Sequence, residues 1–296
     1  EMLRSLVGSE MCIRDRRIAR GLYGRVVGGD NSEPEDGLDV VTTLDLEMQD
    51  VADRALRRQL EAQNALWGTA LVMEVATGDL LAMANLSRTK SGAYAEVKNH
   101  ALSSRMEPGS TFKLAALLAL VDDAGMSLDE TFDTGNGARV KVGRTTVQDS
   151  HGLPPLNLKD AVAHSSNVFF ARAVYETYKD DPERYVDYLR HLHLDRTVGL
   201  EEFGAVAPIF PAPGMKIWYP DVSIVNMGYG YAIELTPLHT LTLYNAVAND
   251  GCMVAPRLVR EIRRGGEVVE RPERRVLVDK ICSSSALRKV REIYRA

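Results

Sequence analysis

Cysteine is scarce in this chain of 296 residues. The three thiols, Cys12, Cys252 and Cys282, stand at spacings that suit neither a zinc site nor a disulfide framework. So few thiols leave the redox compartment undecided. Long apolar runs are missing too: none approaches the roughly 18 residues of a membrane span, and no signal peptide is visible. Taken as it stands, the chain is expected to be soluble. Charge is not in great excess either. The net charge is −5, so nothing argues for nucleic acid as a partner. The six histidines do not cluster at metal-ligand spacing, and no metal or cofactor is expected. No internal repeat and no low-complexity segment is found. What remains, 45% hydrophobic and 26% charged residues, is ordinary for one large or two smaller globular domains.

What is there centres on Glu107-Pro108-Gly109-Ser110-Thr111-Phe112-Lys113 and the apolar run Leu114 to Val121 behind it. Pro108 and Gly109 break whatever precedes them. The run that follows is rich in helix formers and ends at Gly125, a suitable C-terminal cap. Ser110 is therefore expected on the first turn of a buried helix, with Lys113 one turn along on the same face. A serine hydroxyl is a poor nucleophile until a base takes its proton, and a lysine whose pKa is lowered by burial can be that base. The plainer alternative is a capping serine and a surface lysine. Ser-x-x-Lys is weak alone: roughly one arises by chance in a chain of this length. A second copy, Ser87-Arg88-Thr89-Lys90, serves as a control. It lies in a polar stretch without the strand-turn-helix setting that such a motif needs.

Along the chain, residues 1–16 resemble translated adapter sequence and are set aside. Residues 17–37 are rich in Gly, Asp, Glu and Pro and read as a linker. Residues 38–43 read as a strand, and Asp45 as the N-cap of a helix to about Gln63, with Met48, Val51, Ala52, Ala55, Leu56 and Leu60 on one stripe. Residues 68–75 and 79–85 form a hairpin around Ala76-Thr77-Gly78, apolar enough to be covered by helices on both faces. Residues 86–99 read as a loop. Short hairpin strands at 140–142 and 145–147 follow, then a turn at Asp149-Ser150-His151-Gly152. Helices are expected at 156–163, 168–178 and from Pro182. Residues 199–214 are irregular. Asn226 to Gly230 is a glycine-punctuated turn, and Thr236-Pro237 opens a helix that stops at Asn249-Asp250-Gly251. The tail reads as strand, charged turn, strand and a last helix from Ser284. Trp67 and Trp218 read as packing residues, although Trp218 could line a cleft.

Ser165-Ser166-Asn167, between two helical runs, is a Ser-x-Asn that alone suggests only a turn with capping side chains. Its company raises it. From about Gly37 onward the sequence resembles the class B penicillin-binding proteins, the serine-active transpeptidases of the bacterial cell wall. The resemblance is carried, in order, by Val41-Thr42-Thr43-Leu44-Asp45 with Gln49, Ala76-Thr77-Gly78-Asp79, Glu107 to Lys113, Asp149 to Gly152, Ser165 to Asn167, Gly228-Tyr229-Gly230, Thr236-Pro237-Leu238 and Ala248 to Gly251. It implies an α/β (α+β) serine-active, penicillin-recognising fold: a mostly antiparallel sheet with helices on both faces and an all-helical subregion, residues 38–296 forming the transpeptidase domain. It implies catalytic roles for Ser110 as nucleophile, Lys113 as base, Ser165 as proton relay and Asn167 as the group that orients Lys113. Ser110, Ser166, Asn167, Gly228 and Gly230 would contact substrate, and the Ser110 N–H would be one oxyanion donor. The substrate would be a peptidoglycan stem peptide ending in D-Ala-D-Ala, cross-linked through a Ser110 acyl-enzyme; β-lactams would acylate the same serine. The expected setting is septal synthesis in cell division, outside the cytoplasmic membrane. Partners would include a glycosyltransferase, and membrane attachment would come through an anchor absent from this chain.

One family motif is missing. Lys-Thr-Gly, which supplies the substrate-carboxylate site and the second oxyanion donor, does not occur; Lys90-Ser91-Gly92 precedes Ser110 and is in the wrong order. The chain is therefore expected to be a C-terminally truncated fragment with an incomplete sheet. Loss of one oxyanion donor costs about 10²–10³ in turnover, so it is also expected to be weakly stable and nearly inactive. Three competing readings share the motifs: an elongation-type transpeptidase, a serine β-lactamase, and a non-catalytic β-lactam sensor.

Overall fold

Asp39–Thr42 forms strand β1, and Asp45 caps helix α1, Leu46–Gln63, by accepting the Met48 N–H at 2.9 Å. The computed structural model describes residues 37–295, so the foreign segment expected at 1–16 and nearly all of the linker expected at 17–37 lie outside the described residues. Helix α1 ends where Asn64 turns left-handed. Its inner side differs from the expected stripe. Ala52, Leu56 and Leu60 face the sheet, but Met48, Val51 and Ala55 are exposed. Gln49 is turned toward the sheet instead, because its amide makes two bonds to the Met83 peptide: it accepts that N–H at 2.7 Å and donates to the carbonyl at 3.3 Å. Reading apolar period alone overlooks such a backbone demand.

Strands β2, Trp67–Met73, and β3, Leu80–Arg88, form the expected antiparallel hairpin. Its turn needs Gly78: the residue has φ +79°, and a Cβ there would stand 2.4 Å from the Ala255 carbonyl oxygen. Ala82 and Ala84 of β3 pack under Ala52 and Leu56 of α1. Leu80 and Met83 pack with Ala101 and Leu102 of the short helix α2, His100–Ser103, and with Leu238. Helical segments thus cover both sides, as the apolar run required. The loop expected at 86–99 is corrected in part. Strand β3 continues to Arg88 and pairs with β4, Tyr94–Ala95. The cause is Leu86 and Tyr94, both buried against Leu60, with the Tyr94 hydroxyl close to the carbonyls of Leu60 and Ala65.

The apolar run after Ser110 is one continuous helical segment in three windings. Gly109–Phe112 is a 3-10 turn, Lys113–Leu118 is helix α3, and Ala119–Asp123 is a π turn. Everything from Phe112 to Val121 is buried, as an all-round apolar helix must be. Gly125 at φ +68° ends it, with Ala124 N–H on the Ala119 carbonyl. The wider last turn carries Asp122 and Asp123. Asp122 accepts the Tyr188 hydroxyl at 3.0 Å and the Ser283 N–H at 2.9 Å; Asp123 accepts Tyr178 and pairs with Arg184, both at 2.9 Å.

Strands β5, Val140–Val142, and β6, Thr145–Val147, pair as expected. Helices α4, Leu158–Ala163, α5, Asn167–Tyr178, and α6, Pro182–His191, build the helical region, with Phe169, Phe170, Val174, Tyr178 and Tyr185 fully buried around the motif helix. A short helix not foreseen, α7, Ser223–Met227, leads into Gly228. Helix α8, Pro237–Ala248, begins where expected, but the Thr236 hydroxyl bonds to Nδ1 of His239 at 2.7 Å and makes no cap. Strands β7, Met253–Val254, β8, Val259–Arg264, β9, Glu267–Glu270, and β10, Val276–Val278, precede the last helix, α9, Ser284–Arg295. The sheets run β1-β8-β9, β2-β3-β4, β5-β6 and β7-β10. Strand β1 pairs with β8 from Asp39↔Arg263 to Thr42↔Val259. Among the described residues β2 has no strand on its outer edge, and no helix is long and apolar enough to cross a membrane.

Candidate active site

The breaker pair Pro108-Gly109 delivers Ser110 at the start of a helix whose next turn is already in the core. Ser110 is exposed, while Lys113 is 3% exposed. The first N–H groups of such a turn have no intrahelical partner. Gly109 is held from outside its own helix: its N–H donates to the Gly230 carbonyl at 2.9 Å. A Cβ on Gly230, whose φ is +89°, would come within 1.9 Å of the Gly109 oxygen, so only glycine fits there. On the same side Glu107 accepts the Ala232 N–H at 3.0 Å, and the Tyr244 hydroxyl donates to the Thr111 carbonyl at 3.1 Å.

Lys113 Nζ is the meeting point. It lies 3.1 Å from Ser110 Oγ, 3.0 Å from Ser165 Oγ, 2.5 Å from the Ser165 carbonyl oxygen and 2.7 Å from Asn167 Oδ1. The Phe170 ring stands 5.8 Å away. Two of these four oxygens, the carbonyl and the amide oxygen, can only accept. A neutral amine has two hydrogens for those two, and its lone pair is then left for a serine hydroxyl. Burial favours that neutral form and lowers the Lys113 pKa to about 8, with the charge of Asp149 acting in the opposite direction. Ser165 reaches the nitrogen with both its oxygens because it takes a left-handed φ of 50°, a conformation that costs a non-glycine residue about 1–3 kcal/mol.

The motif residues Ser110, Lys113, Ser165 and Asn167 therefore converge on one nitrogen. Two of the expected substrate contacts do not open onto it. Ser166 is fully buried. Its hydroxyl donates to Asp149 at 2.7 Å and accepts the Phe169 N–H at 3.0 Å, so it caps α5 and does not face substrate. Gly228 is packed at the end of α7, where a Cβ would stand 2.9 Å from the Phe170 carbonyl oxygen. Gly230 is buried as well and meets the site through its bond to Gly109.

The second Ser-x-x-Lys, expected in a polar loop, begins on a strand. Ser87 is in strand β3, its hydroxyl 2.8 Å from Nε2 of His100, and Lys90 is exposed. Trp67 stacks on His100 at 4.1 Å, and Trp218 is buried and packed in the core. His151 pairs with its neighbour Ser150, and among the described residues no group of His, Cys, Asp or Glu could hold a metal. Asp149, expected in a turn and part of the motif series but given no role of its own, is buried and bonded to three groups of the Ser166–Val168 segment. No local sequence signal separates it from an ordinary turn aspartate. A cavity of about 460 Å³ lies elsewhere, lined by Leu114, Tyr244, Val247, Arg291 and Tyr294. It includes neither Ser110 nor Lys113, whose hydroxyl–amine contact opens onto the surface around Ser110.

The family model described as "Penicillin binding protein transpeptidase domain" matches residues 68–295. The chain is 28% identical over 293 residues to penicillin-binding protein PbpB of Mycobacterium tuberculosis, an alignment covering 94% of this chain and 41% of that protein. It is 26% identical over 252 residues to the probable peptidoglycan D,D-transpeptidase PenA of Neisseria gonorrhoeae, covering 83% of this chain and 42% of that protein. The chain thus spans well under half the length of these curated relatives. Among solved structures, penicillin-binding protein 3 of Mycobacterium tuberculosis complexed with ampicillin superposes with a TM-score of 0.77 at 27% identity, covering 91% of this chain and 59% of that one.

Proposed function

This chain belongs to the penicillin-binding transpeptidase family, in its class B branch, and from that premise we propose that it carries the acyl-transfer site of a peptidoglycan D,D-transpeptidase, within a domain spanning residues 38–296. Ser110 is the nucleophile and Lys113 its base. As Ser110 Oγ bonds to the carbonyl carbon of the penultimate D-alanine, its proton passes to the Lys113 lone pair. The peptide bond to the last D-alanine breaks, and Ser165 relays the proton to the departing amine. Asn167 holds the lysine and the substrate amide. An amine of a neighbouring strand then attacks the Ser110 ester, which forms the cross-link and frees the serine. A β-lactam enters the same first step through its strained amide and leaves Ser110 acylated.

The observation that carries the reading is the distance of 3.1 Å between an exposed hydroxyl and a buried amine of lowered pKa. The assignment to septal synthesis, on the outer side of the cytoplasmic membrane with a glycosyltransferase as partner, rests on the resemblance of the motif series. The test is mass spectrometry after prolonged incubation with excess benzylpenicillin, because acylation is expected to be about 10²–10³ slower without the Lys-Thr-Gly donor. The expected result is one adduct on Ser110, absent from Ser110→Ala. An adduct on another residue, or one that survives in Ser110→Ala, sinks the assignment.

A further inference from the structure

Asp149 follows strand β6 and is 6% exposed. One carboxylate oxygen accepts the Ser166 hydroxyl at 2.7 Å; the other accepts the N–H groups of Asn167 at 2.5 Å and Val168 at 3.2 Å. Ser166 passes the support on, since its Oγ accepts the Phe169 N–H. The N–H groups of Asn167, Val168 and Phe169 open α5 and have no partner within that helix. All three end on this carboxylate or on the hydroxyl it holds. The residues on either side of Ser166 are Ser165 and Asn167, which put three oxygens on Lys113 Nζ. The groups facing that nitrogen are Ser110 from its own helix, Ser165 and Asn167 from the α4–α5 turn, the Phe170 ring from α5, and the charge of Asp149 behind the turn.

We infer that Asp149 is a positioning residue for acyl transfer: it fixes the Ser165–Asn167 turn around Lys113 and places a negative charge behind the amine. The inference rests on the reading of Ser110 and Lys113 as nucleophile and base. Two consequences separate it from a purely structural cap. The charge of Asp149 opposes the effect of burial on Lys113, so removing it makes the amine shed its proton at lower pH. Loss of the carboxylate also loosens the turn, and small misplacements of reacting groups cost large factors in rate.

The test compares the unsubstituted chain with Asp149→Asn by two measurements: carbon-13 NMR titration of the Lys113 ε-carbon, and the rate of acylation by a fluorescent penicillin as a function of pH. In Asp149→Asn the Lys113 midpoint is expected to fall by about half a pH unit or more. The acid limb of the acylation profile moves with it, while the plateau rate drops roughly tenfold. A folded Asp149→Asn chain with an unchanged Lys113 midpoint overturns the inference. If no variant, nor the unsubstituted chain, is acylated but the midpoint still moves, the functional reading fails and the link between Asp149 and Lys113 stands. Should Asp149→Asn not fold, Asp149→Glu decides. It keeps the charge and displaces it by one methylene. A plateau about threefold lower or more, with a nearly unshifted acid limb, supports the inference; an unchanged plateau overturns it.

Discussion

At the scale of single residues, the site is an amine kept out of water beneath a hydroxyl left in it. That arrangement has a thermodynamic cost that can be measured. Lys113 titrates near 8 in the folded chain against an ordinary value of 10.5. Between those values the unfolded chain holds a proton that the folded one has lost, so the contribution of Lys113 to stability rises with pH across that window, opposed above about pH 9 by Cys282, whose burial raises its thiol. Below it the full penalty applies, about 3 kcal/mol by the size of the shift. Lys113→Met is expected to flatten this rise, seen as urea midpoints measured from pH 7 to 10.5, and to abolish acylation. A rise that persists in the variant would place its source elsewhere. That Ser110, Lys113, Ser165 and Asn167 meet at one nitrogen was legible in the sequence through the ordered motif series of the family resemblance, since neither short motif is specific alone. Ser166 turns inward to Asp149 and the Phe169 N–H, a placement its sequence does not show because a serine suits a cap and a substrate contact equally. The part Asp149 plays was not legible because two of its three partners are backbone N–H groups, which every sequence has.

At the scale of elements, the motif segment changes its winding twice, and each change has a use. The tight 3-10 start sets Ser110 against the Gly109–Gly230 contact. The wide π end turns two adjacent aspartates toward partners on α6, α5 and the start of α9. Asp122→Ala would leave the Tyr188 hydroxyl and the Ser283 N–H without that acceptor, at a cost of about 1–3 kcal/mol in thermal or urea unfolding. The pH at which Lys113 titrates should not change, since Asp122 is not among the groups acting on it. A shift would tie the two ends of the segment electrostatically. The helix itself was legible from its run of strong formers and its Gly125 stop; the change of winding was not, because the groups that meet Asp122 and Asp123 lie distant in sequence. The α1 stripe was misjudged for a similar reason. Gln49 serves the Met83 peptide, a bond that hydrophobic periodicity does not encode.

At the scale of the whole molecule, the two long strands of the hairpin have unequal edges. Strand β3 is served beyond β2 by Gln49 at Met83, by the Arg257 carbonyl at Leu80 and by the Asp45 N–H at Leu81. Strand β2 is an edge strand among the described residues. Hydrogen exchange is expected to find the Leu80 and Met83 amides among the slowest, and the β2 amides that point away from β3 close to unprotected rates. Uniform protection along β2 would mean that another segment covers it. Local patterns made the hairpins and helices readable, because each is decided by neighbours in sequence. The pairing of β1 with β8 was not, since Val41↔Glu261 leaves no trace in either segment alone. That pairing has a consequence for synthesis. On a ribosome strand β1 emerges long before its mate, and its peptide groups must wait until everything between Thr42 and Val259 has been translated. Such late closure favours slow maturation and exposure to chaperones and proteases while the nascent polypeptide is still growing.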